Sequence, residues 1–194
     1  MFVAITKNKN LTRKDIMHYL AIEGHIDYLI VRTPMSSDEL VNWINMLLQY
    51  QFPKKKIIIH ENIDVLNRCE LTAIHFKEYN NQDLFFKQRF PHIQVSKSTH
   101  DSTTVAEAER RGLDFVLFSH IFETNSKPGV TPRSIAEINA VLQYDIPVVA
   151  LGGINYQTIT KLPRGFDGIA GISLFEKNNI AHIDYLKEAW RAYV

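Results

Sequence analysis

The sequence contains little cysteine and no excess of charge of one sign. Cys69 is the only cysteine among 194 residues, which excludes an intrachain disulfide framework and a cysteine-based zinc cluster. Lysine and arginine total 22 against 21 aspartate and glutamate residues, so the formal net charge is +1. A protein that binds nucleic acid normally carries a basic surplus or stripe. We therefore expect no nucleic-acid partner.

Long hydrophobic runs are also missing. No apolar run approaches the roughly 18 residues that a membrane helix needs, so we expect no membrane segment. The first residues lack the charged region, apolar core and cleavage site of a signal peptide. With 45% hydrophobic residues the chain has the composition of a soluble globular protein, and we expect a cytoplasmic one. Its length predicts a single domain over residues 1–194.

Eight short segments rich in β-branched and apolar residues recur along the chain. Several are continuous apolar runs, which are typical of strands buried on both faces of a parallel sheet. The segments are residues 2–6, 27–32, 56–60, 72–76, 92–97, 114–118, 146–151 and 166–171. Helical patterns lie between them, with starts indicated at Thr12, Ser36, Ser102 and Pro132 and a final helix over residues 179–193.

Eight strands in strict alternation with about eight helices predict a compact (β/α)8 TIM barrel. The alternative is a doubly wound open sheet, but the count of eight and the two late glycine-rich strand ends favour the barrel. Barrel active sites are built from the segments that follow the carboxyl ends of the strands. Those segments therefore supply the candidate functional residues.

Two of these segments predict an anion site. Glycines allow backbone N–H groups to approach an anion closely, a following helix N-terminus adds a favourable dipole, and barrels often bind phosphate at strands seven and eight. A strand-to-helix turn also favours glycine, so the pattern is not specific to phosphate. The predicted phosphate-binding residues are Gly152, Gly153, Gly171, Ile172 and Ser173.

The connection after strand six is the longest and most polar of these segments. Its eleven residues, 119–129, exceed what the turn requires, and long loops on a lean scaffold are usually functional. It contains His120, a residue type that titrates near neutral pH and serves as acid or base, and Lys127.

Other charged and histidine residues carry weaker signals. Arg32 ends an apolar strand, where an anion or an ion pair would explain it. The pair His60-Glu61 lacks a third metal ligand at diagnostic spacing, so a hydrated loop pair is favoured over a metal site. No motif surrounds the five histidines that we interpret as structural or exposed: His18, His25, His75, His92 and His182.

Several segments together resemble the thiamine phosphate synthase/TenI superfamily. The signature is VLFSHIFET at residues 116–124, followed by KPG at 127–129. Agreement extends to STH at 98–100, PVVALGGI at 147–154 and DGIA at 167–170, in the order and spacing of the family. The resemblance covers nearly the whole chain and implies a barrel that acts on thiamine-related phosphates.

The synthase branch of that superfamily fits less well than the other branch. Those enzymes join a pyrimidine diphosphate to a thiazole phosphate with magnesium, and carry Arg-x-Lys after strand two and Asn-Asp after strand three. This sequence has Arg32-Thr33-Pro34 and His60-Glu61 at these places. A diphosphate–magnesium site with these changes is expected to bind poorly.

The TenI branch of thiazole tautomerases is the better match and implies an isomerase. It would aromatise 2-carboxy-4-methylthiazole ethyl phosphate by proton transfer, with no metal or other cofactor. By this resemblance His120 is the catalytic acid or base, Gly153 and Ser173 bind phosphate, and Arg32, Ser98 and Lys127 make polar or carboxylate contacts. The alternatives are a thiamine phosphate synthase and a non-catalytic regulatory barrel. A homodimer interface is considered at Trp43 and Phe85-Phe86.

Overall fold

The eight apolar segments form a closed barrel of parallel strands. The computed structural model describes residues 1–124, 126–176 and 180–193. Neighbouring strands follow chain order around the ring, and the last strand pairs with the first, so the predicted (β/α)8 barrel is confirmed. The strands are β1 (Phe2–Ile5), β2 (Tyr28–Val31), β3 (Ile57–His60), β4 (Ala73–Phe76), β5 (Gln94–Thr99), β6 (Phe115–Ser119), β7 (Val148–Leu151) and β8 (Gly168–Gly171).

Seven α-helices in the described residues surround the barrel. They are α1 (Arg13–Ile22), α2 (Ser37–Gln49), α3 (Ile63–Arg68), α4 (Asp83–Arg89), α5 (Ser102–Arg110), α6 (Ile135–Val141) and α7 (Ile180–Tyr193). The predicted first residue of the last helix, Asn179, lies outside the described residues. None of the described helices has the length and apolarity needed to cross a bilayer.

The predicted strict alternation is wrong between β7 and β8, where only a 3₁₀ turn at Ile159–Lys161 is present. The Thr158 hydroxyl donates to the Gly153 carbonyl at 2.9 Å and accepts from the Asn155 N–H at 2.9 Å. Such side-chain bonds to the backbone compete with a helical ladder. Pro163, which follows, prevents the turn from continuing.

Side-chain capping decides where the helices begin. Ser36 precedes α2 and forms a reciprocal capping box with Glu39, as the sequence predicts. The predicted helix start at Pro132 is wrong, because Ser134 forms the same box with Glu137 and α6 begins at Ile135. The cap of α5 is Asp101, one residue before the predicted position.

Alternating strand residues divide the core into two parts. One set packs against the helices, and the other fills the barrel interior with Val3, Ile30, Ile58, Phe115, Leu117 and Val149. Two of the residues considered for a dimer interface, Trp43 and Phe86, are 4% and 8% exposed and belong to the outer core. Only Phe85, at 73%, is exposed, so the interface prediction is wrong for the other two residues.

Candidate functional site

Three cavities meet at the carboxyl ends of the strands, and Arg32 lines all three. The β6–β8 cavity, of about 300 Å³, lies at the ends of β6, β7 and β8. The central cavity, of about 100 Å³, lies above the barrel interior. The β2–β4 cavity, of about 530 Å³, lies beyond the ends of β2, β3 and β4. The mouth of the barrel is therefore one site with two lobes joined at Arg32.

The sequence-predicted residues gather at this mouth. Eight of them line the β6–β8 cavity: Arg32, His120, Lys127, Gly152, Gly153, Gly171, Ile172 and Ser173. The ninth, Ser98, lines the central cavity together with Arg32 and Ile172. The described residues supply no ion pair to Arg32, so its guanidinium is available to an anion. The roles assigned to these nine residues stay predictions.

The two glycines after β7 support the neighbouring loop as well as the cavity. Gly152 and Gly153 have φ of +101° and +70°, which side chains other than glycine rarely adopt. A Cβ atom at Gly152 would collide with His120, and one at Gly153 would collide with the carbonyls of Phe122 and Glu123. Close packing of the loop after β6 therefore requires glycine here, whether or not an anion binds.

The helix dipole predicted to assist anion binding is absent from the end of β8. A three-residue 3₁₀ turn, Ser173–Phe175, comes directly after that strand, and the next described helix, α7, begins at Ile180. A turn of this length carries little of a helix macrodipole. Backbone N–H groups and the Ser173 hydroxyl remain as the neutral donors of this wall.

His120 is 1% exposed and has one unpartnered ring nitrogen. Its Nε2 lies 3.1 Å from the Val130 carbonyl oxygen, which only accepts, so in the neutral ring Nε2 carries the hydrogen. Nδ1 then presents a lone pair and has no hydrogen-bond partner among the described residues. His120 lines the β6–β8 cavity, and its Nδ1 retains the capacity to accept one hydrogen bond.

Lys127 lines the same cavity, and side-chain contacts link it to two further residues. Its Nζ lies 3.1 Å from His100 Nε2, and His100 Nδ1 lies 2.8 Å from Glu78 Oε2. Glu78 is 7% exposed and also accepts from the His100 backbone N–H at 2.7 Å. The loop lysine is therefore anchored to the segments that follow β5 and β4.

Two histidines that the sequence analysis did not assign to the site line the central cavity. His75 is 2% exposed, and its ring nitrogens lie 2.8 Å from Ser96 Oγ and 2.9 Å from Ser98 Oγ. Burial, together with a smaller effect of nearby His60 and against the opposing effect of Glu61, lowers the pKa of His75 to about 3. Residues of β4 alternate between its two faces, so His75 lies on the inward face with Ala73. This alternation is visible in the sequence and predicts that His75 points into the barrel.

His60 is the last residue of β3, so the interpretation of His60-Glu61 as a hydrated loop pair is wrong for His60, whereas Glu61 lies after the strand. It lines both the central cavity and the β2–β4 cavity. Burial, helped by the positive charges of Arg32 and Lys77 and opposed by Glu61, lowers the pKa of His60 to about 4. Both histidines at the centre of the mouth are therefore neutral at neutral pH.

The β2–β4 cavity does not present a magnesium donor set. The Glu61 carboxylate pairs with Lys77 Nζ at 2.6 Å and accepts from Asn80 Nδ2 at 3.1 Å. Burial opposes its ionisation, but these hydrogen bonds hold the pKa of Glu61 below its ordinary value. Within the described ranges no three His, Cys, Asp or Glu residues are grouped to hold a metal. Magnesium prefers free carboxylate oxygens with water and phosphate, so the magnesium of the synthase branch does not fit these residues.

Comparison with known proteins gives consistent results. The family model described as "Thiamine monophosphate synthase" matches residues 2–175. The thiamine-phosphate synthase of Chlorobium phaeobacteroides is 26% identical over 185 residues, which cover 91% of this chain and 88% of that protein. The thiamine-phosphate synthase of Shouchella clausii is 28% identical over 172 residues, covering 82% and 79%. The structure of thiamine phosphate pyrophosphorylase from Pyrococcus furiosus has a TM-score of 0.80 at 19% identity, covers 100% and 96%, and supports the fold.

These findings correct one prediction and establish the family. The prediction of an isomerase is wrong, because these curated relatives are named thiamine-phosphate synthases, which are transferases. The preference for the tautomerase branch depended on the loop around His120 and on the changes at residues 32–34 and 60–61, whereas the relatives match over most of the chain. The matched family model spans nine-tenths of the sequence. The chain belongs to the thiamine monophosphate synthase family.

Proposed function

We propose that the protein is a transferase that joins a pyrimidine diphosphate to a thiazole phosphate. The observation that carries this proposal is the pair of cavities that meet at Arg32. A joining reaction needs two anionic substrates side by side, and a cation between them offsets their mutual repulsion. The names of the relatives support the same reaction class. We also propose that residues 1–194 act as one domain.

The β6–β8 cavity suits the thiazole phosphate. Backbone N–H groups near Gly153 and Ile172, the Ser173 hydroxyl and the Lys127 ammonium are the donors that a phosphate monoester needs. The β2–β4 cavity is larger and lies on the other side of Arg32, and we assign the diphosphate to it. A pyrimidine ring bound between them would contact the central cavity, where Ser98, held by the neutral His75, supplies a hydrogen bond.

The transfer breaks the bond between the pyrimidine unit and its diphosphate and forms a bond to the thiazole. The diphosphate leaves with the electron pair of the broken bond, and a lone pair of the thiazole makes the new one. Arg32 stabilises the charge that grows on the leaving group, because its guanidinium lines both lobes. His120 lines the lobe of the thiazole phosphate and packs against this substrate. The walls hold the two reacting atoms close together.

The test is a joining assay with matched arginine variants. The wild-type protein, given both substrates with and without magnesium, should form thiamine phosphate, which mass spectrometry detects. Arg32→Met should lower kcat/KM about 100-fold, the loss expected when a charged contact in the transition state is removed. The control Arg164→Met changes an exposed arginine and should stay within about twofold of wild type. Failure of the wild type to form the product, or full activity of Arg32→Met, would contradict the proposal.

A further inference from the structure

In the β2–β4 cavity, the ammonium group of Lys77 occupies the place beside the Glu61 carboxylate that a metal ion would otherwise take. Lys77 Nζ lies 2.6 Å from Glu61 Oε2, while Asn80 and the Lys77 backbone N–H donate to Glu61 Oε1 at 3.1 and 3.3 Å. Both oxygens are therefore engaged by donors of the chain itself. Among the described residues that line this cavity, Glu61 is the only carboxylate.

Buried groups of the barrel hold Asn80 and Glu61 in place. The Asn80 carbonyl accepts from Lys97 Nζ at 3.3 Å, and Lys97 is 3% exposed. Lys97 Nζ is in turn 2.8 Å from Asp83, whose side chain is fully buried. The Glu61 backbone N–H donates to the His75 carbonyl at 2.9 Å, which attaches the start of the loop to β4. The carboxylate that positions Lys77 is thus held on both sides by the barrel.

The charges around the β2–β4 cavity favour binding of an anion without a metal ion. Arg32 and Lys77 each carry one positive charge, Glu61 carries one negative charge, and the low pKa of His60 keeps that ring neutral. The Lys77 side chain is 62% exposed, so its ammonium retains donors for a ligand while one donor binds Glu61. An anion seated here meets two cations, and it meets no free carboxylate oxygen that would repel it.

We propose that Lys77, positioned by Glu61 and Asn80 beside Arg32, is a built-in cation that binds the substrate diphosphate in place of a magnesium ion. The proposal rests on the proposed function for the identity of the substrate and on the cavity for the chemistry. Magnesium binding would require Glu61 to release the lysine. Diphosphate binding is therefore independent of the metal as long as Lys77 is present.

The test measures binding of inorganic pyrophosphate by titration calorimetry, in EDTA and in excess magnesium. The wild-type protein should bind in EDTA, with magnesium changing Kd less than about threefold. Lys77→Met should weaken binding in EDTA about tenfold or more, the expected loss for one charge-assisted contact. Because Glu61 is then free, magnesium should partly restore binding to this variant. Lys55→Met, the same change at an exposed lysine just before β3, should behave as wild type.

The outcomes separate this inference from the proposed function. Pyrophosphate binding in EDTA by a protein that forms no joined product would support the inference and contradict the transferase. Product formation together with pyrophosphate binding that requires magnesium would support the transferase and contradict the inference. An unchanged Kd in Lys77→Met, or no binding by the wild type in either buffer, would overturn the inference. Circular dichroism and thermal unfolding confirm that the variant is folded, which is expected for a largely exposed side chain.

Discussion

Lys127 Nζ lies 3.1 Å from His100 Nε2, and this distance fixes the tautomer of the histidine. An ammonium group only donates, so Nε2 must present a lone pair to it. The single ring hydrogen then lies on Nδ1, where Glu78 accepts it at 2.8 Å. A buried carboxylate thus orients a neutral histidine, and the histidine holds the only lysine on the loop that follows β6.

The first prediction is that His100 acts by positioning Lys127. In His100→Phe the KM for the thiazole phosphate should rise about tenfold while kcat changes less than about twofold, because the lost contact serves binding. Lys127→Met should give a similar KM. The double variant should be no worse than either single one, since the two residues act as a unit.

A conservative substitution distinguishes positioning from general loss of structure. His100→Gln keeps an acceptor for Lys127 and a donor for Glu78, so it should recover much of the lost affinity. Steady-state kinetics of the four variants provide the measurement. If the His100 and Lys127 effects add in full, the chain of contacts is not what positions the lysine.

The strand pattern predicts the barrel because each strand is buried on both faces. Continuous apolar runs such as residues 57–59 then indicate a parallel sheet, and the rule that sites follow strand ends places Arg32 and Lys127 at the mouth. The absence of a helix between β7 and β8 depends on hydrogen bonds of Asn155 and Thr158, which apolar periodicity does not report.

Other features of the site require three-dimensional proximity. The pairing of Glu61 with Lys77 joins residues 16 positions apart that follow neighbouring strands, and no local motif encodes it. The collision expected for a side chain at Gly153 comes from a loop 30 residues earlier in the chain. The inward orientation of His75 was accessible from strand alternation, but the residue lacked a motif that would have drawn attention to it.

The second prediction separates two contributions to the loss of stability when Gly153 is replaced, namely backbone strain and steric collision. Gly112, which follows α5, has nearly the same φ, +69° against +70°, but nothing lies within 4 Å of its potential Cβ atom. Gly112→Ala should therefore cost only the conformational penalty of about 1–2 kcal/mol. Gly153→Ala should cost at least about 1 kcal/mol more, because the loop carbonyls at Phe122 and Glu123 must move.

Urea unfolding of the two alanine variants provides the comparison, and KM for the thiazole phosphate provides a second readout. Only Gly153→Ala should raise KM, since displacement of the loop also moves Lys127 and His120. Equal losses of stability at the two glycines would mean that the loop after β6 adapts without cost. The close packing at Gly153 would then not explain the glycine.

The third prediction concerns the pH dependence of stability. The pKa of His75 is lowered from 6.5 to about 3 in the folded protein, chiefly by burial. Below pH 6.5 the unfolded chain takes up a proton on this residue that the folded chain does not. The free energy of unfolding should therefore fall as the pH is lowered from 6.5 towards 4, by about 1.4 kcal/mol per pH unit for this histidine.

The measurement is urea unfolding at several pH values between 7 and 4.5. His75→Gln keeps hydrogen-bonding groups for Ser96 and Ser98 but removes the titration, so its stability should fall less steeply with decreasing pH. The matched control, His92→Gln, alters an exposed histidine and should follow the wild-type slope. Identical slopes for wild type and His75→Gln would show that His75 is protonated in the folded protein as readily as in the unfolded chain.

The last prediction concerns the buried ion cluster that supports the β2–β4 cavity. The side chain of Asp83 is fully buried and lies 2.8 Å from Lys97 Nζ and 3.2 Å from Arg111. Asp83→Asn removes the charge that compensates Lys97, so it should lower the free energy of unfolding by about 3–5 kcal/mol. Asp64→Asn makes the same change at a carboxylate that is 56% exposed beside Arg68, and it should cost at most about 1 kcal/mol.

A double variant identifies the source of that loss. If an uncompensated Lys97 causes it, Asp83→Asn combined with Lys97→Met should be more stable than Asp83→Asn alone, although each substitution destabilises the wild type. If the loss comes from packing around α4, the second substitution should only add to it. Denaturant unfolding of the four proteins distinguishes these results. Because Lys97 also binds the Asn80 carbonyl, the double variant should in addition weaken pyrophosphate binding, whereas Asp64→Asn should leave it unchanged.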